Sequence, residues 1–288
     1  MILPSISPPD LPKVSHVGDA AVKGDEEVHV LVTGYGPFLE QFPVNASWSV
    51  ASNLPSILPR TAEHPTKIHI HVHPDPIRVS WSAVSEITPK LHAQHYDIML
   101  HMGLAAGRSY FTLERLAYRG RFGERADVDG AFFPPEEARR MWNSLPTTLR
   151  PTFHCNDVWR RWRGLLVDST LDVRPSDDPG NYLCGFIYYS SLAYLLLKEE
   201  EAERPIMFMH VPDLPTESDV ERGVDVAVAL IRALVESRNT FPRGIQKDEE
   251  GDVYDDLVND DGKDVKMGEY PETWTVEQQL RLFRKDAN

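Results

Sequence analysis

The feature that most constrains the fold is an alternation of two patterns along the chain. Short β-branched runs bounded by turn residues predict strands at VHVLVTG (28–34), KIHIHVH (67–73), YDIMLHMGL (96–104), TLDVRP (170–175) and PIMFMHV (205–211). Between and after them lie NASWSVASNL, VSWSAVSEITPKLHAQ, NDVWRRWRGLLVDS, CGFIYYSSLAYLLLKEEE and ESDVERGVDVAVALIRALVES, which predict helices. In the last, Val220, Val224, Ala227, Ile231 and Leu234 recur at three and four residues, and Thr216 with Asp219 forms a capping box at its start. Strands alternating with helices predict an α/β sandwich, with a largely parallel central sheet covered on both faces.

With 288 residues, 41% hydrophobic and 26% charged, one main core with tails is expected. Residues 1–26, rich in proline and without a period, read as a flexible leader. The tail from about Phe241 carries DEEGDVYDDLVNDDGKD, a like-charge run that reads as solvated, and ends in an amphipathic piece, TWTVEQQLRLFRKD, that suits a short helix. The segment 130–153 fits no strand–helix unit and reads as a surface insertion.

The formal net charge of -14 argues against nucleic acid and anionic membrane as partners, because both are bound through clustered Lys and Arg. No apolar run approaches the roughly 20 residues that span a bilayer, and the first 20 residues lack a signal-peptide pattern. Two cysteines in so long a chain make no disulfide framework, so both read as thiols in a reducing, cytoplasmic compartment.

Cys184 stands where the turn DPGNY gives way to an apolar helix. A thiol in the first turn of a helix is favoured as thiolate by the partial positive charge there, which makes it a candidate nucleophile. Location by itself favours the plainer reading of a small buried hydrophobe. Cys155 has no comparable setting. A catalytic cysteine needs a base, and His210 ends the strand PIMFMH at a sheet edge that Cys184 can share. His101 lies inside a strand and reads as a hydrogen-bonded core histidine. His69, His71 and His73 alternate along one strand, as a metal site would, but no carboxylate or cysteine at ligand spacing accompanies them, so no metal is expected. Glu114 follows a small-residue turn in GLAAGRSYFTLER and reads either as an orienting carboxylate or as half of a surface ion pair with Arg115. The turn GYGPF lacks the third glycine of a dinucleotide fingerprint, and Pro37 removes an N–H, which excludes that cofactor site.

Four blocks, VTGYGPFLEQFPVNASW, HMGLAAGRSYFTLER, PGNYLCGFIYYSSL and FMHVPDLP, together resemble the type I pyroglutamyl peptidases, cysteine exopeptidases that remove an N-terminal pyroglutamate. The similarity runs from about Val28 to Ser237. It implies a single α/β domain with a twisted mixed sheet, no cofactor, and pyroglutamyl peptides as substrates. By position it assigns nucleophile to Cys184, base and acid to His210 and the orienting carboxylate to Glu114. Tyr35 and Phe38 match the aromatics that hold the lactam ring, and Arg125, with Arg121 behind it, is the position for an oxyanion-binding arginine. Leu104 stands where the family often has glutamine, so one polar contact to the lactam is absent or comes from elsewhere. The alternative is an inactive relative that binds blocked N-termini or acts as an interaction protein.

Overall fold

The computed structural model describes residues 27–38, 43–120, 122–199 and 202–241. The leader 1–26, the acidic tail after Phe241 and Arg121 lie outside the described residues. The elements follow the order β1 (Glu27–Thr33), α1 (Ala46–Ser52), β2 (Ile57–Leu58), β3 (Lys67–Val72), α2 (Trp81–Leu91), β4 (Ile98–Leu104), β5 (Phe111–Glu114), β6 (Ala117–Tyr118), α3 (Pro135–Trp142), β7 (Thr148–Leu149), α4 (Cys155–Leu165), β8 (Val173–Ser176), α5 (Leu183–Lys198), β9 (Ile206–Val211) and α6 (Glu217–Thr240). Seven strands form one sheet in the order β2-β3-β1-β4-β9-β5-β8. Its pairs are parallel except at β2 with β3 and β5 with β9. The sheet is therefore mixed, as the family resemblance implies.

The period of two along each strand explains why helices cover both faces. On β1 and β4, Val30, Val32, Ile98, Leu100 and Met102 join one buried cluster with side chains of α1, α4 and α6. Their neighbours Leu31 and Met99 enter a second cluster with α2 and α5. All seven residues of β4 are buried, as expected of a central strand sandwiched between helix layers. The capping box of α6 forms as expected: the Thr216 hydroxyl accepts from Asp219 N at 3.1 Å, and Asp219 accepts from Thr216 N at 3.2 Å.

The segment 130–153 contributes no strand to the seven-stranded sheet, yet it does not simply lie on the surface. Its Phe133 and Trp142 are 4% and 2% exposed. Trp142 meets Tyr189 and Phe186 of α5 at ring-centroid distances of 5.0 and 5.6 Å, and Phe133 meets Phe186 at 4.6 Å. This anchoring rests on single aromatics, which carry no period. Replacing Trp142 by Ala should cost about 3–5 kcal/mol, read as a lower urea midpoint, because a large ring leaves a closed aromatic cluster. A loss within about 0.5 kcal/mol would mean that the segment is superficial.

Candidate active site

The turn after β1 and the N-terminus of α1 form one hydrogen-bonded unit. Asn45 caps α1, its Oδ1 accepting from Ser47 N at 3.1 Å, while its Nδ2 donates to Gly36 O at 2.9 Å. The Ser47 hydroxyl accepts from Tyr35 N at 3.0 Å. A side chain at residue 34 would begin 2.8 Å from the Ser47 carbonyl oxygen, so glycine is needed there for the helix to approach. The N-A-S-W block thus braces the GYGPF turn. Tyr35, held by it, is 3% exposed and donates its hydroxyl to Leu183 O at 2.6 Å. Instead of opening its ring to solvent, Tyr35 supports the residue that precedes Cys184. Phe38 is half-buried and packs against both core clusters.

Strand register then assembles the remaining groups. Gly103 of β4 lies beside His210 of β9, which lies beside Thr112 of β5. Paired residues share a face of the sheet, and Glu114, two residues beyond Thr112, is the diagonal neighbour of His210 on that face. This is the face covered by α5. His210 Nδ1 and Glu114 Oε1 are 2.7 Å apart, with the residues 5% and 0% exposed. The Cys184 sulfur fills the space where Gly103 has no side chain: a Cβ there would sit 2.6 Å from Sγ. From that place the sulfur shares the α5 face of the sheet with His210, whose titration it influences. Cys184, His210 and Glu114 thus lie on one face of the sheet, with His210 and Glu114 in direct contact.

The electrostatics follow from this arrangement. Burial alone would strip the proton from His210, but hydrogen bonds and charge from Cys184 and Glu114 outweigh it and push its pKa up to about 9. Burial would likewise raise the pKa of Glu114; the His210 hydrogen bond and charge, then the Arg108 charge, bring it below the usual carboxylate value. Helix α5 presents its N-terminus at Cys184, and Tyr182 offers no side-chain cap to its first-turn N–H groups. Gly185 lets the chain fold tightly here, since a Cβ on it would meet Gly180 O at 2.0 Å.

Other candidates are placed differently. Arg125 is exposed on the loop near Tyr182, and the arginine that reaches Glu114 is Arg108. Arg115 donates to Asp177 at 2.9 and 2.5 Å, so it is not the partner of Glu114. Leu104 is buried in the core. His101 is fully buried between Thr33 and Ser191 at 2.7 and 3.0 Å, and burial lowers its pKa to about 3, as suits a core histidine. His69 and His71 of β3 and His73 just after it do not converge: His69 turns to Glu27 at 2.9 Å, His71 to His29 at 2.9 Å, and His73 to the Asp75 carbonyl at 2.7 Å. Cys155 is 1% exposed, with its pKa raised to about 12 by burial.

Sequence reasoning missed Arg108 and Thr112. FTLE was assigned to no element, because a four-residue strand buried throughout shows no alternation. Once it is a strand, Thr112 and Glu114 must share a face, and that i, i+2 relation was the available signal.

Known proteins carry the same pattern. The family model for pyroglutamyl peptidases matches residues 28–236. The pyrrolidone-carboxylate peptidase of Staphylococcus aureus is 28% identical over 197 residues, covering 67% of this chain and 82% of that protein. The mouse pyroglutamyl-peptidase 1 is 26% identical over 225 residues, covering 78% and 94%. Among solved structures, the pyrrolidone carboxyl peptidase of Thermus thermophilus superposes with a TM-score of 0.52 at 28% identity, covering 72% of this chain and 99% of that one. The enzyme from Thermococcus litoralis shares the fold, with a TM-score of 0.58 at 19% identity, covering 76% of this chain and 98% of that one. Since the match runs from β1 into α6 and takes in all four sequence blocks, the chain belongs to the pyroglutamyl peptidase family.

Proposed function

We propose that the chain is a cysteine omega peptidase that hydrolyses the bond after an N-terminal pyroglutamate, with Cys184 as nucleophile, His210 as base and acid, and Glu114 as the carboxylate that orients His210. The observation that carries this reading is the alignment of the three on the α5 face of the sheet, with Glu114 Oε1 2.7 Å from His210 Nδ1. That contact leaves His210 Nε2 to serve the thiol.

In the first step the Cys184 sulfur forms a bond to the pyroglutamyl carbonyl carbon while the proton resides on His210. The oxyanion develops against the first-turn N–H groups of α5, donors whose loss in such sites typically costs roughly 10²- to 10³-fold in rate. The C–N bond then breaks, and the proton passes from His210 to the departing amine. Water attacks the thioester, His210 accepts its proton, and free pyroglutamate leaves as the thiolate is restored. A lactam is compact and uncharged, whereas a free α-ammonium entering the same apolar surroundings would lose hydration at a cost of several kcal/mol. Phe38 supports this selectivity as a half-buried ring beside the turn. Because the nucleophile must stay a thiol, the reading also favours a reducing, cytoplasmic setting and peptides as the partners.

The test is release of a fluorescent amine from its pyroglutamyl amide, beside the proline and alanine amides, with and without prior iodoacetamide. Cleavage of the pyroglutamyl amide alone, lost as one thiol is modified, is the expected result. The modified residue should be Cys184, with Cys155 alkylated only after unfolding. Absence of cleavage under reducing conditions would instead favour a protein that binds blocked N-termini without acting on them.

A further inference from the structure

Glu114 is in an asymmetric position. Its Oε1 meets His210 Nδ1 at 2.7 Å, the Thr112 hydroxyl at 2.7 Å and Arg108 Nη1 at 3.3 Å. Its Oε2 is buried without a hydrogen-bond partner, the Ser176 hydroxyl lying near but outside hydrogen-bond geometry. A fully buried carboxylate satisfied on one oxygen depends on neighbouring positive charge to stay ionised. Two cations can supply it. One is His210, which is positive only when protonated. The other is Arg108, which is positive throughout.

Arg108 is built to reach this spot from outside. It closes the turn after β4, its N–H donating to Ala105 O at 3.1 Å, and Gly107 before it has φ of +86°, a conformation that favours glycine. Its Nη1 also donates to Thr112 Oγ1 at 3.0 Å and its Nη2 to Asp178 O at 3.4 Å, while a quarter of the side chain stays exposed. Thr112 thus receives from Arg108 and donates to Glu114. The other charged or titratable groups near Glu114 are Tyr118 of β6, which donates to Asp178 at 2.9 Å, the Arg115–Asp177 pair, and Cys184 beyond His210.

The reaction removes one of the two cations. When His210 has passed its proton to the leaving amine, Arg108 is the remaining positive neighbour of the carboxylate. We propose that Arg108 is a positioning residue that keeps Glu114 ionised and in place during the half-cycle in which His210 is neutral, so that the imidazole retains the tautomer needed to activate water. This rests on the peptidase reading and extends it to a residue that touches neither thiol nor substrate.

The test compares Arg108→Gln and Arg108→Lys with the unmodified protein, each shown to be folded by its thermal transition. With the pyroglutamyl amide, Arg108→Gln should lower kcat about tenfold or more with KM changed much less. The acid limb of its kcat profile should move up by about one pH unit, because losing a nearby positive charge lets Glu114 hold its proton to higher pH. Arg108→Lys should restore most of kcat and the original limb. An unchanged profile in Arg108→Gln, or a fall in kcat that lysine does not rescue and that leaves the acid limb in place, would overturn the proposal. If the unmodified protein does not cleave the amide, the peptidase reading fails separately. Arg108 is then judged by ¹⁵N NMR of the imidazole whose signal disappears in His210→Asn: an altered tautomer balance in Arg108→Gln supports its role, and an unaltered one removes it.

Discussion

Cys184→Ser is expected to reduce kcat on a pyroglutamyl amide by at least about 10³-fold while the protein remains folded. Loss of a nucleophile in a comparable triad leaves only the catalysis due to binding and oxyanion contacts. Serine here is smaller by little and keeps a polar atom over Gly103, so the packing of α5 is preserved. What changes is chemistry: a hydroxyl is far more reluctant than a thiol to give up its proton to an imidazole, and the imidazole here is set up beside a sulfur. Cys184, with Glu114, is one of the two partners that push the His210 pKa up to about 9 against burial. The decisive comparison is kcat against KM: a large fall in kcat with KM almost unchanged identifies the nucleophile. Retention of the original rate would remove Cys184 from that role.

Glu114→Gln should have the second-largest effect, a fall in kcat that reaches on the order of 10⁴-fold if it resembles the amide replacement of an orienting carboxylate in a related triad. The amide is nearly isosteric, but it offers an N–H as readily as a C=O. An N–H facing His210 Nδ1 would force the proton onto Nε2, where it can no longer take one from the thiol. Where the C=O faces the ring, the loss still includes the negative charge. His210 is then left with burial, which favours the neutral form, and one fewer stabilising partner. Its pKa must fall below about 9, and the alkaline limb of kcat/KM should move to lower pH. The direction distinguishes this variant from Arg108→Gln, which moves the acid limb upward. An unshifted alkaline limb in Glu114→Gln would show that the 2.7 Å contact does not govern the imidazole.

Much of this site was legible before any coordinates. His210 ends an apolar strand and Cys184 begins an apolar helix, and both boundaries are local signals that punctuation by proline and glycine makes clear. Glu114 was named through the resemblance of its block, and the small-residue turn before it was legible, but not the short strand that holds it antiparallel to β9. Tyr35 was named through the same resemblance, and only the tertiary structure shows its hydroxyl donating to Leu183 O. Nothing in the sequence pointed to Arg108, six residues before Glu114, which folds back onto that carboxylate.

The sequence by itself determined the alternation of strands and helices, the two-faced burial of the sheet and the cap of α6, because these depend on side-chain period and on residues adjacent in the chain. Tertiary structure alone decided that Gly103 leaves room for the sulfur, that Thr112 and Glu114 face His210, that Arg108 reaches the carboxylate and that Trp142 anchors the 130–153 segment. Each of those facts is a contact between distant segments whose register is set by strand pairing and core packing, and neither propensity nor spacing encodes which strand will lie beside which.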